Sequence, residues 1–210
     1  MKGLRQSKWK HIHGELQKEK FEEIKPNAST TESSHVKSNG KFLGVSWSGA
    51  GGSLAVIPLA NKGRQPANLP LLKGHAGAIL DFEFSPFHDE LVATASEDST
   101  VKIWQVPEEG LTEDILEPVG TLQGHIKKVL FSTWNPVADF ILASTAFDKT
   151  VKIWDVEDQV EASNIELPDT LTSLQWNQNG SLLIGACKDK ELKILDPRAS
   201  AVTVNFHAHD

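Results

Sequence analysis

The sequence predicts an all-β chain assembled from repeated units of short strands. Three observations predict it. A block of roughly thirty residues recurs in fixed register, and such self-similarity at periods of 20–50 residues marks a repeat architecture. Segments such as Ile79-Leu80-Asp81-Phe82-Glu83-Phe84 alternate apolar and polar side chains, the pattern of a half-buried strand. Fifteen Gly, ten Pro, six Trp and no Tyr favour tight turns between short elements over long helices.

Composition bounds the rest. The chain has 210 residues, 21 Lys+Arg against 28 Asp+Glu and a formal charge of −7. That length suffices for a large core, and 39% apolar with 23% charged residues is the composition of a soluble globular protein. No apolar run approaches the ~18–20 residues of a membrane helix, and the charged N-terminus does not read as a secretory signal. The one cysteine, Cys187, excludes an internal disulfide and a Cys-rich zinc site, so a reduced, intracellular protein is expected. No metal or cofactor is expected either. The histidine pairs His11-x-His13 and His207-x-His209 lack the further ligands a zinc site needs.

Residues 1–34 read as a basic arm and loop. Residues 1–25 carry seven Lys/Arg and four Glu, a net of +3, on a body of net −10. Such a balance argues against nucleic-acid binding, which needs a basic face across the domain, and suits an arm that meets an acidic partner. Residues 35–62 read as a partial first blade: two apolar runs flank Ser48-Gly49-Ala50-Gly51-Gly52, a strand–turn–strand pattern. The glycines do not make a phosphate loop, because no Gly-Lys-Ser/Thr follows.

The repeat proper occupies residues 63–120 and 121–165. Gly74-His75 returns as Gly124-His125, Asp98 as Asp148, and Val101-Lys102-Ile103-Trp104 as Val151-Lys152-Ile153-Trp154, each offset by 50. Residues 166–200 are a degenerate third copy. It keeps Asp189 and Leu192-Lys193-Ile194, but Leu195 stands for the Trp and Glu166 or Leu167 for the His. Residues 201–210 are expected to begin another unit. In the first copy the surplus length falls in residues 107–118, an acidic, Pro-flanked loop expected either to be a contact site or to be solvated.

His, Asp and a hydroxyl invite comparison with a hydrolase triad, but triads are recognised by geometry rather than by residue type. Duplication at one spacing favours structure. The expected networks are His75, Asp98, Trp104 and a hydroxyl from Thr94 or Ser96, with Ser96 preferred, then His125, Asp148, Trp154 and Ser144 or Thr145, with Ser144 preferred. The third copy is expected to have abandoned its network as a whole, since a half-satisfied buried network is worse than none.

The Gly-His and terminal Trp-Asp at this period resemble the WD-repeat β-propeller, here incomplete at about four of seven blades. More specifically, Arg5-Gln6-Ser7-Lys8-Trp9-Lys10-His11-Ile12-His13-Gly14, Gly51-Gly52-Ser53-Leu54-Ala55-Val56-Ile57-Pro58-Leu59 and Trp104-Gln105-Val106-Pro107-Glu108 resemble the coronin family, and the likeness runs in order over nearly all of residues 5–210. The resemblance implies a non-catalytic protein of the cytoplasm and actin cytoskeleton that binds filamentous actin and regulates its organisation. The family places a basic residue after an aromatic-x-x-Ile stretch. Phe21-Glu22-Glu23-Ile24-Lys25 matches it and nominates Lys25, with Lys8, Lys10 and Lys20 adding positive field. Other cytoskeletal partners fit as well, and a scaffold for another protein complex without actin binding is the alternative. The family's coiled-coil oligomerisation region has no heptad counterpart here. An open array of this kind is expected to leave uncapped strand edges at both ends.

Overall fold

The computed structural model describes residues 19–27 and 34–208, and every regular element among them is a strand. In chain order come β1 (Phe21–Glu22), β2 (Val36–Ser38), β3 (Phe42–Trp47), β4 (Gly52–Pro58), β5 (Gly63–Arg64) and β6 (Leu71–His75). β2, β3, β4 and β6 form one antiparallel sheet, and β1 pairs with β5 as a short parallel ribbon. The second sheet is β7 (Ile79–Phe84), β8 (Leu91–Ser96), β9 (Thr100–Gln105) and β10 (Gly120–Gln123). The third is β11 (Val129–Trp134), β12 (Ile141–Ala146), β13 (Thr150–Asp155) and β14 (Val160–Glu166). The fourth is β15 (Leu171–Trp176), β16 (Leu183–Cys187), β17 (Glu191–Asp196) and β18 (Ala201–His207). These are four blades of a propeller.

Two blade boundaries differ from the sequence reading. Residues 35–62 hold three strands of the first blade, which runs past residue 62 because β6 completes that sheet by pairing with β4. Residues 201–207 close the fourth sheet against β17 rather than opening another. The cause is the same in both places. The strand that runs into the Gly-His position is the outer strand of the preceding sheet.

The core lies between sheets. Phe42, Leu54, Leu72, Phe82 and Trp104 fill the space between the first and second, and Ile103, Leu122, Trp134, Leu142 and Trp154 that between the second and third. Ala143, Ile153, Leu171, Leu174 and Leu195 join the third to the fourth. The inner strands of the second, third and fourth sheets each carry a bulge near the start, at Ile79/Asp81, Val129/Phe131 and Leu171/Ser173. A bulge increases right-handed twist and bends the strand.

The acidic loop after β9 is neither free nor wholly solvated. Ile115 bridges Leu72 in parallel, with Lys73 N donating to Ile115 O at 2.8 Å and Ile115 N to Leu71 O at 3.0 Å. Asp114 accepts from Leu71 N and Lys73 Nζ, and Leu111 and Ile115 pack on the core. The loop thereby covers the outer edge of the first sheet, a usual remedy for an exposed strand edge.

The first sheet is covered on its other side too, contrary to the expectation of bare ends. Asn27 N donates to Ser46 O and Ser48 N to Lys25 O, so residues 25–27 extend the inner edge of β3 beyond β2. Ile24 and Leu69 pack with Val45, Trp47 and Leu71. On the fourth sheet Ile184, Val204 and Phe206 remain exposed.

The Gly51-Gly52 pair has a steric role. Gly52 passes under the β6–β7 connection, and a Cβ there would meet Gly77 O and lie 2.8 Å from His75 Cβ. Gly52→Ala is therefore expected to lower stability by about 1–3 kcal/mol in thermal denaturation. Gly40→Ala, where a Cβ meets nothing within 4 Å, is the control. Equal melting curves for the two variants would contradict this account.

Candidate functional site

The histidines of the two Gly-His pairs sit where the chain crosses from one sheet to the next. His75 ends β6, and its ring reaches into the second sheet. Its Nδ1 lies 2.8 Å from Asp98 Oδ2 and its Nε2 lies 2.8 Å from Thr94 Oγ1. Trp104 Nε1 donates to the same hydroxyl at 2.8 Å. The Asp98 carboxylate accepts from the ring at Nδ1 and the Thr94 oxygen accepts from the indole, while the Thr94 hydroxyl lies within reach of both His75 Nε2 and Lys102 O, the latter at 3.3 Å. Asp98 also accepts from Ala76 N, Thr100 N and Thr100 Oγ1.

The second copy repeats this geometry. His125 Nδ1 is 2.8 Å from Asp148 Oδ2, its Nε2 is 2.8 Å from Ser144 Oγ, and Trp154 Nε1 donates to Ser144 Oγ at 2.8 Å. The glycine before each histidine makes room for the indole. A Cβ on Gly74 would stand 2.7 Å from Trp104 Cη2, and one on Gly124 would stand 3.0 Å from Trp154 Cη2.

Ser96 is not the hydroxyl of the first network. Its Oγ donates to Gly77 O and accepts from Asp98 N, which fastens the turn rather than the imidazole. The partner is Thr94, and the sequence held the signal. The offset of 50 that aligns the copies maps Ser144 onto Thr94, whereas Ser96 maps onto Ala146.

This arrangement is unsuited to nucleophilic chemistry. The His75 and His125 side chains are 0% and 1% exposed, and Thr94 and Ser144 are fully buried. Each hydroxyl oxygen is already engaged by an indole, so no face is left for a substrate. Burial raises the Asp98 and Asp148 carboxyls, but bonds from the imidazole and from Thr100 or Thr150 outweigh it and hold both below the ordinary value. Burial pushes the His125 imidazole below its ordinary value, against the pull of Asp148.

The third copy has not lost its network wholesale. Asp189 keeps its place, and its Oδ1 accepts from Glu191 N just as Asp98 Oδ1 accepts from Thr100 N. Lys193 takes over from the imidazole: Nζ lies 2.8 Å from Asp189 Oδ2 and 2.7 Å from Glu191 Oε2, and its side chain is 1% exposed. Burial works against the charged ammonium, yet the two carboxylates hold its pKa above the ordinary value. The matching lysines act differently, with Lys152 pairing with Glu161 and Lys102 reaching Thr121.

A second polar system lies along the inner strands and was not evident in the sequence. Asp81 Oδ2 accepts from Ser132 N and Glu83 Oε2 from Trp134 N, so carboxylates of β7 satisfy the unpaired edge of β11. An indole reinforces the contact, with Trp134 Nε1 donating to Glu83 O, and Trp176 Nε1 makes the corresponding bond from β15 to Thr133 O of β11. Burial raises both Asp81 and Glu83, and Lys37 at 2.7 Å from Asp81 Oδ1 opposes the shift. Lys37, Asp81, Glu83, Ser132 and Thr133 line a cavity of about 600 Å³ between the inner strands.

Of the nominated surface lysines, Lys8 and Lys10 lie outside the described residues. Lys20 is exposed and pairs with Glu22 at 3.0 Å. Lys25 is exposed and fixed by its backbone through the bond from Ser48 N. Its neighbours Glu19, Glu22 and Glu23 are engaged by Lys62, Lys20 and Arg64, while the Lys25 ammonium enters no ion pair among the described residues. The described residues hold no cluster of three or more metal-ligating side chains, and no helix among them is long and apolar enough to cross a membrane.

Comparisons with known proteins accord with this geometry. Residues 67–105, 116–155 and 165–196 match the WD domain, G-beta repeat family, and residues 2–64 match a domain of unknown function, DUF1899. The chain is 47% identical to Coronin-A of Dictyostelium discoideum over 212 residues, covering 99% of this chain and 47% of that protein. It is 35% identical to the Coronin-like protein of Saccharomyces cerevisiae over 220 residues, covering 99% of this chain and 34% of that protein. The crystal structure of the WD40 domain from Toxoplasma gondii coronin superposes with a TM-score of 0.89 at 40% identity, over 93% of this chain and 50% of that one. The chain thus spans less than half the length of the two relatives.

Two outcomes follow from the networks. Thr94→Val, which orphans a buried imidazole and indole, is expected to cost roughly 2–3 kcal/mol, while Ser96→Ala should cost less. Comparable losses in chemical denaturation would contradict the Thr94 assignment. His125→Ala is expected to cost roughly 1–3 kcal/mol at neutral pH. Below the ordinary histidine value of 6.5 the unfolded chain takes up a proton that native His125 resists, so this contribution falls with pH. The stability gap between wild type and His125→Ala should narrow between pH 7 and pH 5, and a constant or widening gap would refute the assignment of a neutral buried ring.

Proposed function

The chain belongs to the coronin family of WD-repeat proteins, and on that premise we propose that it is a non-catalytic, cytoplasmic protein that binds actin filaments and helps to organise them. One observation carries the reading. In Phe21-Glu22-Glu23-Ile24-Lys25, the aromatic residue lies in the β1–β5 ribbon, Ile24 packs into the first blade, and the segment ends on an exposed ammonium. The apolar residues fix the segment to a rigid sheet, and the lysine is presented at the end of β3. A fixed cation is a better ligand for an acidic surface than a tethered one, because less freedom is lost on binding.

The burial of both His–Asp networks supports a structural rather than a catalytic role for them. The filament surface is acidic, so an exposed lysine facing it gains from complementarity mainly through encounter rate and orientation. Lysine lacks the bidentate fork of arginine, and a single contact of this kind contributes modestly.

The test is cosedimentation with filamentous actin. Lys25→Glu is expected to weaken binding and to flatten its dependence on ionic strength, with an unchanged melting temperature. Undiminished binding by that variant would remove Lys25 from the contact. Absence of binding by the wild-type chain would instead favour the scaffold reading.

A further inference from the structure

In a meander of four strands per blade, the turns between second and third strands all emerge on one face, together with the connections between blades. On this face lie Ser48–Gly51 of the first blade, residues 97–99 of the second, 147–149 of the third and 188–190 of the fourth, and the connections at 76–78, 126–128 and 168–170. Lys25 is bonded to Ser48 and so shares that face.

The third and fourth blades gather five lysines there on a chain whose net charge is negative. Phe147 is held between two of them, with Lys128 Nζ at 4.6 Å and Lys188 Nζ at 4.9 Å from its ring centroid. Lys127, Lys149 and Lys190 complete the group, all three exposed, beside Ile126 at 82% exposure. The carboxylates nearby are largely spoken for. Asp148 is held by His125 and Asp189 by Lys193, Asp169 lies 3.4 Å from Lys149, and Glu97 lies 3.8 Å from Lys128. Glu166 is the exposed exception. Lys127, Lys188 and Lys190 enter no ion pair among the described residues.

Two ammonium groups against one half-buried ring are like charges brought together by cation–π attraction. The arrangement lowers their repulsion and holds them in place without neutralising them. An anionic partner then meets charge that is already gathered. The second blade has no such feature, since its turn carries Glu97 where the third carries Phe147.

We infer that the lysine cluster around Phe147 is a second contact for an acidic protein polymer, continuing across one face of the propeller the contact that begins at Lys25. This rests on the filament-binding reading and extends it from one residue to a surface. Two patches on one rigid body reinforce each other, because engagement of one raises the effective concentration of the other.

The experiment uses the whole 210-residue chain. Wild type, Lys25→Glu, Lys127→Glu/Lys188→Glu and the milder Lys127→Gln/Lys190→Gln are compared by filament cosedimentation at two salt concentrations, with circular dichroism as the folding check. The charge-reversed pair is expected to bind roughly tenfold more weakly and with a flatter salt dependence. The glutamine pair should lose part of this while melting as wild type does. If wild type and both pairs bind alike, the second contact is overturned while filament binding stands. If wild type does not sediment, both readings fall. A parallel flotation assay with vesicles containing anionic phosphoinositide settles the other source of anionic charge. Loss of vesicle binding in the charge-reversed pair without loss of filament binding would overturn the assignment to a protein polymer.

Discussion

The tie from an imidazole at the end of one sheet to a carboxylate and a hydroxyl in the next is the interaction on which the array depends. Among the described strands no ladder runs from one blade to the next, and backbone bonds between the first two blades are confined to the Leu72–Ile115 bridge and the turn at Glu97. Packing of Phe, Leu and Trp side chains brings them together but tolerates sliding. The His75 ring removes that tolerance, because Asp98 and Thr94 engage its two nitrogens and Trp104 in turn holds the Thr94 hydroxyl. The bond from Ala76 N to Asp98 Oδ2 fixes the backbone just past the crossing, and Ile126 N to Asp148 Oδ2 repeats it.

The fourth blade shows which part of that tie is indispensable. Loss of the imidazole and the indole leaves Asp189 organising its turn, with Lys193 supplying the positive partner from within the same sheet. A lysine on the third strand can anchor the turn, but it does not reach back to the preceding blade. The connection between third and fourth blades depends instead on apolar contact, on Trp176 Nε1 bonded to Thr133 O, and on Asn135 Nδ2 bonded to Gly180 O. The turn is thus retained where the tie is not, which places the aspartate's first duty in local geometry. In all three repeats the residue after that aspartate has positive φ, at Ser99, Lys149 and Lys190. Carboxylate acceptance of the next amide but one holds that conformation against its steric cost.

What the sequence disclosed follows from how many jobs each residue type can do. His, Asp and Trp at fixed spacing have few alternatives, and the repeat stood out. The hydroxyl was harder, because Thr94 and Ser96 lie two apart on β8 and point to the same face. Proximity favoured neither, and only the offset between copies separates them. Asp81 and Glu83 looked like the wet side of a half-buried strand, yet Asp81 is 3% exposed. Alternation reports that a strand has two different faces. It does not report whether the polar face meets water or the unpaired amides of another inner strand. The loop after β9 misled for a related reason: its acidic composition suggested solvation, while Leu111 and Ile115, four residues apart, carried the packing.

The turns that anchor the blades also carry the lysines of the proposed contact face. In Phe147-Asp148-Lys149 the aspartate turns inward to His125, while its neighbours face outward among lysines. In Glu97-Asp98-Ser99 the inward residue is the same, but the outward pair is an acidic and a neutral side chain in place of an aromatic and a basic one. The central carboxylate anchors both turns through the same bonds, so the flanking positions can differ in charge at little structural cost. A face built from such turns can acquire a charge pattern blade by blade without disturbing the sheets beneath it. Patchiness on this face is therefore what the architecture permits most readily, and the uneven distribution of lysine across its blades is a feature that packing alone does not require.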